Sequence, residues 1–319
     1  MRVTLSLTPV LTPTAVALGN FDGVHQGHRQ VIQPILKPLR QTGETLCKTV
    51  VTFHPHPQEF FSGQPRSLLT PLDEKVAQLK ELGVEQLVML PFDRELACLS
   101  PEDFVEQILV DKLQARLVSV GLDFCFGKGR KGTAGDLKEI ASRYGVEVVI
   151  APLKLLNETR ISSSRIRQAL LEGNVQYANY LLGRPYSLVG QVVQGRQLGR
   201  TIGFPTANLQ LPPEKFLPCS GVYAVRVLVC DRTDGLLTCE VAQLPGVMNL
   251  GTRPTVNGIG LVAEVHALDW SGNWYGKILS VQLEHFLRPE QKFASLEQLT
   301  AQIQADCKTA RTLLASIQQ

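Results

Sequence analysis

The stretch Ala15-Val-Ala-Leu18-Gly19-Asn-Phe21-Asp22-Gly-Val-His25-Gln-Gly27-His28 decides how the first half of the chain reads. Four apolar residues run into a glycine-rich turn, and a helical pattern follows from His28 to Leu39. Strand, turn and helix N-terminus in succession make an anion site, because the free N–H groups and the helix dipole favour negative charge. Glycines at 19, 23 and 27 let the backbone approach a ligand. His25 and His28 stand three apart where the helix starts, so both rings can face one side and donate to the α-phosphate of a nucleotide. Alone, the same residues also read as a glycine-rich turn with surface histidines.

Outward from this stretch, short β-rich runs alternate with amphipathic helical ones: LCKTVVTF with DEKVAQLKELG, QLVMLPF with PEDFVEQILVDKL, and RLVSVGLDF with GDLKEIASRYG, closing on VEVVIAPL. That order predicts βαβ units and a parallel sheet. From Ser187 the pattern becomes VGQVVQG, GVYAVRVLVC, LLTCEVAQL, LVAEVHAL and KILSVQLEHFL, separated by turn residues and fitting an antiparallel barrel or sandwich. Ser295-Leu-Glu-Gln298 has capping-box spacing, and Leu296, Leu299, Ile303, Cys307, Ala310, Leu313 and Ile317 follow at helical spacing, predicting a terminal helix on the barrel. The junction near Gly183 to Tyr186 divides the chain into domains 1–182 and 183–319.

Composition narrows the function classes. With 319 residues, 44% of them hydrophobic and 19% charged, the chain reads as an ordinary globular protein of two domains. A formal charge of +3 is too weak for a duplex-binding surface, so no nucleic-acid partner is expected. No apolar run approaches the roughly 20 residues of a membrane span, and Pro9 and Pro13 interrupt the N-terminus before a signal-peptide core forms. The expectation is a cytoplasmic protein without a membrane partner, a monomer or weak homo-oligomer. Seven scattered cysteines without a C-x-x-C pair argue against a disulfide framework and a zinc knuckle.

Three further segments of the first half carry chemistry. His54 and His56, in Thr52-Phe-His-Pro-His-Pro57, could join His25 and His28 around zinc, but no carboxylate or thiolate is placed with them, and a substrate-shaping loop reads better. Gly127-Lys-Gly129-Arg130-Lys-Gly132 is a literal G-x-G-x-x-G of the kind found in dinucleotide-binding oxidoreductases. Its position outside the first strand-helix turn, and its three cations, fit a loop grasping a triphosphate or leaving pyrophosphate better. Ser164 and Arg167, in Ile161-Ser-Ser-Ser-Arg-Ile-Arg167, open the next helix with a hydroxyl and a cation, or merely cap it.

In the second half, Gly195, Gly199 and Gly203 recur every fourth residue before Thr206 and Asn208. If that segment is extended, both side chains project from one side, two neutral oxygens suited to Mg²⁺ beside a phosphate loop. A plain turn before a strand is the alternative, whereas a membrane G-x-x-x-G helix would put Arg196 and Arg200 in lipid. In Leu261-Val-Ala-Glu264-Val-His266 the apolar residues alternate, so Glu264 and His266 share the polar face, where a carboxylate can accept an alcohol proton.

GNFDGVHQGH, TFHPHP, VGLDFCFGKGRKG and ISSSRIR, in this order, resemble the adenylyltransferase half of prokaryotic bifunctional riboflavin kinase/FAD synthetases over nearly all of the first 182 residues. GRTIGFPTANL, GVYAV, GVMNLGTRPTV, AEVH, YGKILSV and LRPEQKF resemble the riboflavin kinase module over residues 187–311. The resemblance implies a Rossmann-like nucleotidylyltransferase domain followed by an antiparallel β-barrel kinase domain with a C-terminal helix. It implies ATP, riboflavin and FMN as ligands and Mg²⁺ accompanying ATP. Gly19, Phe21, Asp22, His25, His28, His56, Asp123, Arg130, Ser164 and Arg167 would serve adenylylation. Thr206 and Asn208 would hold Mg-ATP beside Gly195, Gly199 and Gly203, and Glu264 would activate the ribityl hydroxyl. Ser164 stands where many members have Thr, and Met248, with TCEVAQLP before it, departs from the kinase pattern. Another nucleotidylyltransferase fused to an unrelated barrel explains only one half; a flavin-storage module would not need both histidines, Asn208 and Glu264.

Overall fold

The computed structural model describes residues 1–37, 45–156, 159–195, 199, 202–233, 236–255, 258–270 and 272–316. The chain divides into two compact units, 1–162 and 163–319. The helix ends expected at Leu39 and Ile317 lie outside the described residues.

The first unit is built on a parallel sheet of β1 (Arg2–Thr4), β2 (Thr14–Leu18), β3 (Cys47–His54), β4 (Gln86–Pro91), β5 (Ala115–Gly121) and β6 (Glu147–Ala151), in the order β1-β4-β3-β2-β5-β6. All five residues of β2 are buried, as a central strand covered on both faces requires. Helices α1 (Gln26–Leu36), α2 (Leu72–Glu81), α3 (Phe104–Lys112, with wide π turns) and α4 (Ala134–Ser142) connect the strands. From β2 the chain winds outward through β3 and β4, then returns to place β5 and β6 on the other side. The order therefore reverses between β2 and β5, and ligands of open α/β sheets bind beyond the carboxyl ends of the strands at such a point. The loops after Leu18 and after Gly121 leave from those two ends.

The second unit begins with α5 (Ser163–Leu171) and α6 (Val175–Leu182), so the expected boundary at 182/183 falls inside it. Both helices bury apolar faces, Ile166, Ala169 and Leu170 on one and Val175, Ala178, Leu181 and Leu182 on the other. The Asn179 side chain donates to the Leu283 carbonyl at 2.8 Å and accepts from the Tyr186 N–H at 2.7 Å, tying α6 to the strands. Those strands are β7 (Tyr186–Val193), β8 (Ala207–Gln210), β9 (Gly221–Thr233), β10 (Leu244–Thr255), β11 (Gly258–Ala267) and β12 (Ile278–Arg288). The antiparallel order β9-β10-β11-β8-β7-β12 closes because β9 also pairs with β12. Closure removes the free edges. The alternating burial of β7 is that of a barrel wall, one face inside and one outside.

The terminal helix α7 (Leu296–Ala315) buries Cys307, Ala310 and Leu314 against Val222, Ala224 and Val247 of the barrel. Its cap differs from the expected box: Ser295 Oγ accepts from the Gln298 N–H at 3.4 Å, but Gln298 Oε1 accepts from the Ala294 N–H at 3.2 Å instead of from Ser295. The expected strand LLTCEVAQL is broken, with Leu236–Cys239 pairing on β9 and β10 resuming at Leu244, while Val241 between them is exposed. Met248 is fully buried within β10. Cys230 and Cys239, opposite each other in that hairpin, form one disulfide, where the scattered cysteine spacing argued against a disulfide framework. Strand register, invisible in the spacing, places them face to face.

Candidate active sites

In the first unit, His25 is the N-cap of α1, and its Nδ1 accepts from the His28 N–H at 3.2 Å. An accepting Nδ1 leaves the proton of the neutral ring on Nε2, which makes that nitrogen a donor. The two rings stack 3.6 Å apart at 12°, and Phe21 meets His28 edge-on at 5.3 Å. The histidine pair is thus a rigid unit at the switch point.

The loop before it is held against backbone preference. Gly23 has φ +95°, and Phe21 and Val24 sit at φ +48° and +41° with almost no exposure. For Val, a β-branched residue, that region is an outlier costing roughly 1–2 kcal/mol. Four contacts from neighbouring elements fix it. Asp22 Oδ1 accepts from the Thr70 N–H at 3.2 Å, and Thr70 Oγ1 accepts from the Gly23 N–H at 2.9 Å. The Asn20 carbonyl accepts from Thr52 Oγ1 at 3.0 Å and from Lys75 Nζ at 3.4 Å. Burial pushes the Lys75 ammonium below its usual pKa, with the Asp22 charge opposing part of the shift. Neither Thr70 nor Lys75 belongs to a motif, because a threonine before a helix and a lysine within one carry no signature.

The other expected residues of this half are placed as follows. A Cβ at Gly19 would touch the Phe21 ring at 3.4 Å, so that glycine packs beneath the loop. Asp123, after β5, is ion-paired with Arg160. Arg130 is exposed at φ +59°, its N–H donating to the Gly127 carbonyl at 2.9 Å. His56 caps the helix Pro57–Ser62 through Nδ1 to the Gln58 N–H at 3.0 Å, with Arg66 3.4 Å from its Nε2. Beyond it Phe60 and Phe61 are exposed and meet Phe92 at 5.4 and 5.8 Å, an aromatic shelf the sequence did not announce. Among the described residues no group of three or more His, Cys, Asp or Glu gathers to hold a metal. Ser164 is exposed in the first turn of α5, and the Arg167 guanidinium lies 5.4 Å over the Phe216 ring; both belong to the second unit.

In the second unit, Asn208 of β8, Glu264 of β11 and Asn249 of β10 are direct cross-strand partners. Residues so aligned share one face with Cβ atoms about 4.5–5.5 Å apart. Asn249 and Glu264 line a cavity of about 380 Å³ together with Gly199, Thr206, His266 and Arg288, with Leu299, Ile303 and Cys307 of α7 as its apolar side. His266 is oriented by its Nδ1, 2.8 Å from the Pro205 carbonyl oxygen, and by Phe204 edge-on at 5.4 Å. Arg288 forks onto Asp306 with contacts of 2.8–3.1 Å. The glycines here are spatial requirements. A Cβ at Gly195 would fall 2.2 Å from Asn208 Nδ2, and one at Gly199 would fall 2.2 Å from the Phe204 carbonyl oxygen and 3.4 Å from Thr206 Oγ1. Gly203 supplies φ +84° at the turn. Asn249 lies in the quoted GVMNL, yet only register sets it opposite Glu264.

Comparison with known proteins gives two family matches, FAD synthetase over residues 8–165 and riboflavin kinase over residues 182–314. Curated relatives described as bifunctional riboflavin kinase/FMN adenylyltransferase include those of Escherichia coli K12, 42% identical over 93% of this chain and 91% of theirs, and Haemophilus influenzae, 40% identical over 96% of each. The Bacillus subtilis relative is 37% identical over 93% of this chain and 91% of its own. A crystal structure described as a macrolide-efflux protein from Streptococcus pneumoniae matches with a TM-score of 0.83 and 32% identity, covering 97% of this chain and 98% of that one.

Proposed function

The chain belongs to the bifunctional riboflavin kinase/FMN adenylyltransferase family, and from that membership we propose how its residues divide the two reactions. It is a transferase twice over, phosphorylating riboflavin to FMN with ATP and adenylylating FMN to FAD with release of pyrophosphate. Riboflavin, FMN and ATP are its substrates, and a divalent metal accompanies the ATP. Two separate units each carrying a phosphate-handling constellation are the observation that supports this division most directly.

In riboflavin phosphorylation, Glu264 accepts the proton of the ribityl 5′-hydroxyl as its oxygen attacks the γ-phosphorus. The in-register Asn208–Glu264–Asn249 row on rigid strands supports this, since a base must be held within hydrogen-bond reach of its proton. Mg²⁺ is the metal proposed, held with ATP by Thr206 Oγ1 and the Asn208 side-chain oxygen, both hard neutral donors. The donor chemistry fits it: Thr206 and Asn208 each carry a hard neutral oxygen, Thr206 lines the cavity and Asn208 stands opposite Glu264, and Gly195 packs so closely on the Asn208 side chain that no Cβ would fit there. Held there, the metal would supply positive charge to the phosphate oxygens, while Gly195, Gly199 and Gly203 let the backbone come close to them. In adenylyl transfer, an FMN phosphate oxygen attacks the α-phosphorus and pyrophosphate leaves. His28 and His25 donate to the charge that develops there, a preorganised stabilisation that needs no reorganisation during the step.

Gly19, Phe21 and Asp22 shape the loop behind the histidines. Asp123, His56 and Arg130 are proposed to contact nucleotide or flavin, and the exposed Phe60 and Phe61 offer flat apolar surface for the isoalloxazine ring. Assigning Ser164 and Arg167 to adenylylation rests on the sequence resemblance, and a functional division at 182/183 on the change of pattern near Gly183. The protein is proposed to be cytoplasmic, monomeric or weakly self-associating, and without nucleic-acid or membrane partners, which its small net charge supports. No described helix is long and apolar enough to cross a membrane, and the efflux description of the Streptococcus pneumoniae structure is not carried over. Incubation with riboflavin, ATP and Mg²⁺ followed by chromatography should show FMN and then FAD. Absence of either product removes the corresponding assignment.

A further inference from the structure

Lys75 is a buried cation that the reaction scheme leaves unused. It lies in the first turn of α2, 8% exposed, and its ammonium reaches the Asn20 carbonyl at 3.4 Å. An ordinary helical lysine would keep its charge in water and only its stem on the protein. Here the charge is turned inward, toward the segment whose Phe21 and Val24 occupy left-handed backbone and whose end is the N-cap His25. A strained segment persists only when its surroundings over-determine it, and such segments cluster at functional sites. Lys75 and Thr52 converge from different elements on one carbonyl, while Thr70 holds Asp22 and Gly23. Asp22 is also the carboxylate whose charge acts on Lys75.

We propose that Lys75 is a positioning residue for adenylyl transfer: it anchors the Asn20 carbonyl and balances Asp22, so that the left-handed loop sets the stacked His25–His28 pair against the α-phosphate. The inference rests on the proposed roles of His25 and His28. Its physical consequence is specific. Loss of the anchor lets the histidine pair drift without removing any group that binds ATP or FMN, so the turnover rate falls more than the affinities do.

The test is steady-state kinetics of FAD formation by full-length Lys75→Met, Lys75→Arg and Lys75→Ala, with riboflavin phosphorylation by the same molecules as control. Lys75→Met should lose on the order of 10²-fold in kcat, the scale of a misplacement near 1 Å. KM for ATP and for FMN should stay within about threefold, and FMN formation should be unchanged. Lys75→Arg should recover part of the loss, and methylammonium added to Lys75→Ala should do the same. A kcat for Lys75→Met within about threefold of wild type overturns the proposal, as does a loss carried wholly by KM or a failure of both rescues. If Lys75→Met does not fold, Thr52→Val removes the other donor to the same carbonyl and should lower kcat alone; a wild-type kcat there overturns the proposal equally. Wild-type enzyme that makes no FAD would refute the adenylylation assignment itself, and His28→Ala with full activity would refute the histidine roles, each separately from Lys75.

Discussion

Glu264→Gln isolates one chemical property in the barrel unit. The substitution preserves side-chain length and one oxygen, so the row Asn208–Glu264–Asn249 keeps its cross-strand packing and the barrel should fold unchanged. What disappears is the capacity to take a proton. General-base participation contributes typically 10²–10⁴-fold, about 2.7–5.4 kcal/mol of barrier at 1.36 kcal/mol per decade. A structural effect of the same exchange at a half-buried position that retains its hydrogen-bonding shape should stay below about 1 kcal/mol. The two magnitudes do not overlap, so a rate measurement separates them. Following riboflavin consumption by chromatography at saturating ATP and Mg²⁺, the variant should form FMN at least about 10²-fold more slowly. Supplied FMN should become FAD at the wild-type rate, because that nucleophile is a phosphate already ionised at neutral pH and needs no base. A variant that phosphorylates riboflavin within about threefold of wild type would refute the assignment and leave Glu264 as a polar strand residue.

The remaining expectations concern neighbouring features. His28→Ala should stop FAD formation and let FMN accumulate, losing roughly 10²–10³-fold as for removal of one preorganised donor; undiminished FAD output would make the pair structural. Gly195→Ala places a methyl 2.2 Å from the Asn208 amide and should raise the KM for Mg-ATP in FMN formation by about tenfold or more while sparing adenylylation; an unchanged KM would show that Asn208 does not hold the nucleotide. Thiol titration of the unfolded, unreduced protein should count five free cysteines, seven less the two of the Cys230–Cys239 bond; a count of seven would show the pair reduced.

The sequence by itself determined the two architectures and the order of the motifs. Apolar alternation at period 2 from Ser187 onward is a local property of each strand, and so is the strand-turn-helix signature at Gly19 to His28. Spacing likewise put Thr206 and Asn208 two apart and Glu264 on the polar face of its strand, with their roles resting on the resemblance. What lay beyond it depends on which segments meet. Asn249 and Glu264 are fifteen positions apart in the chain and adjacent only through strand register. Thr52, Thr70 and Lys75 converge on residues 20–23 from β3, the segment before α2 and α2 itself, and no local pattern records that convergence. The same holds for Cys230 and Cys239, and for α5, whose start was legible while its place in the second unit was not. Periodicity fixes which face of an element is apolar, but only packing selects the surface that covers it, and long-range hydrogen bonds follow from that choice.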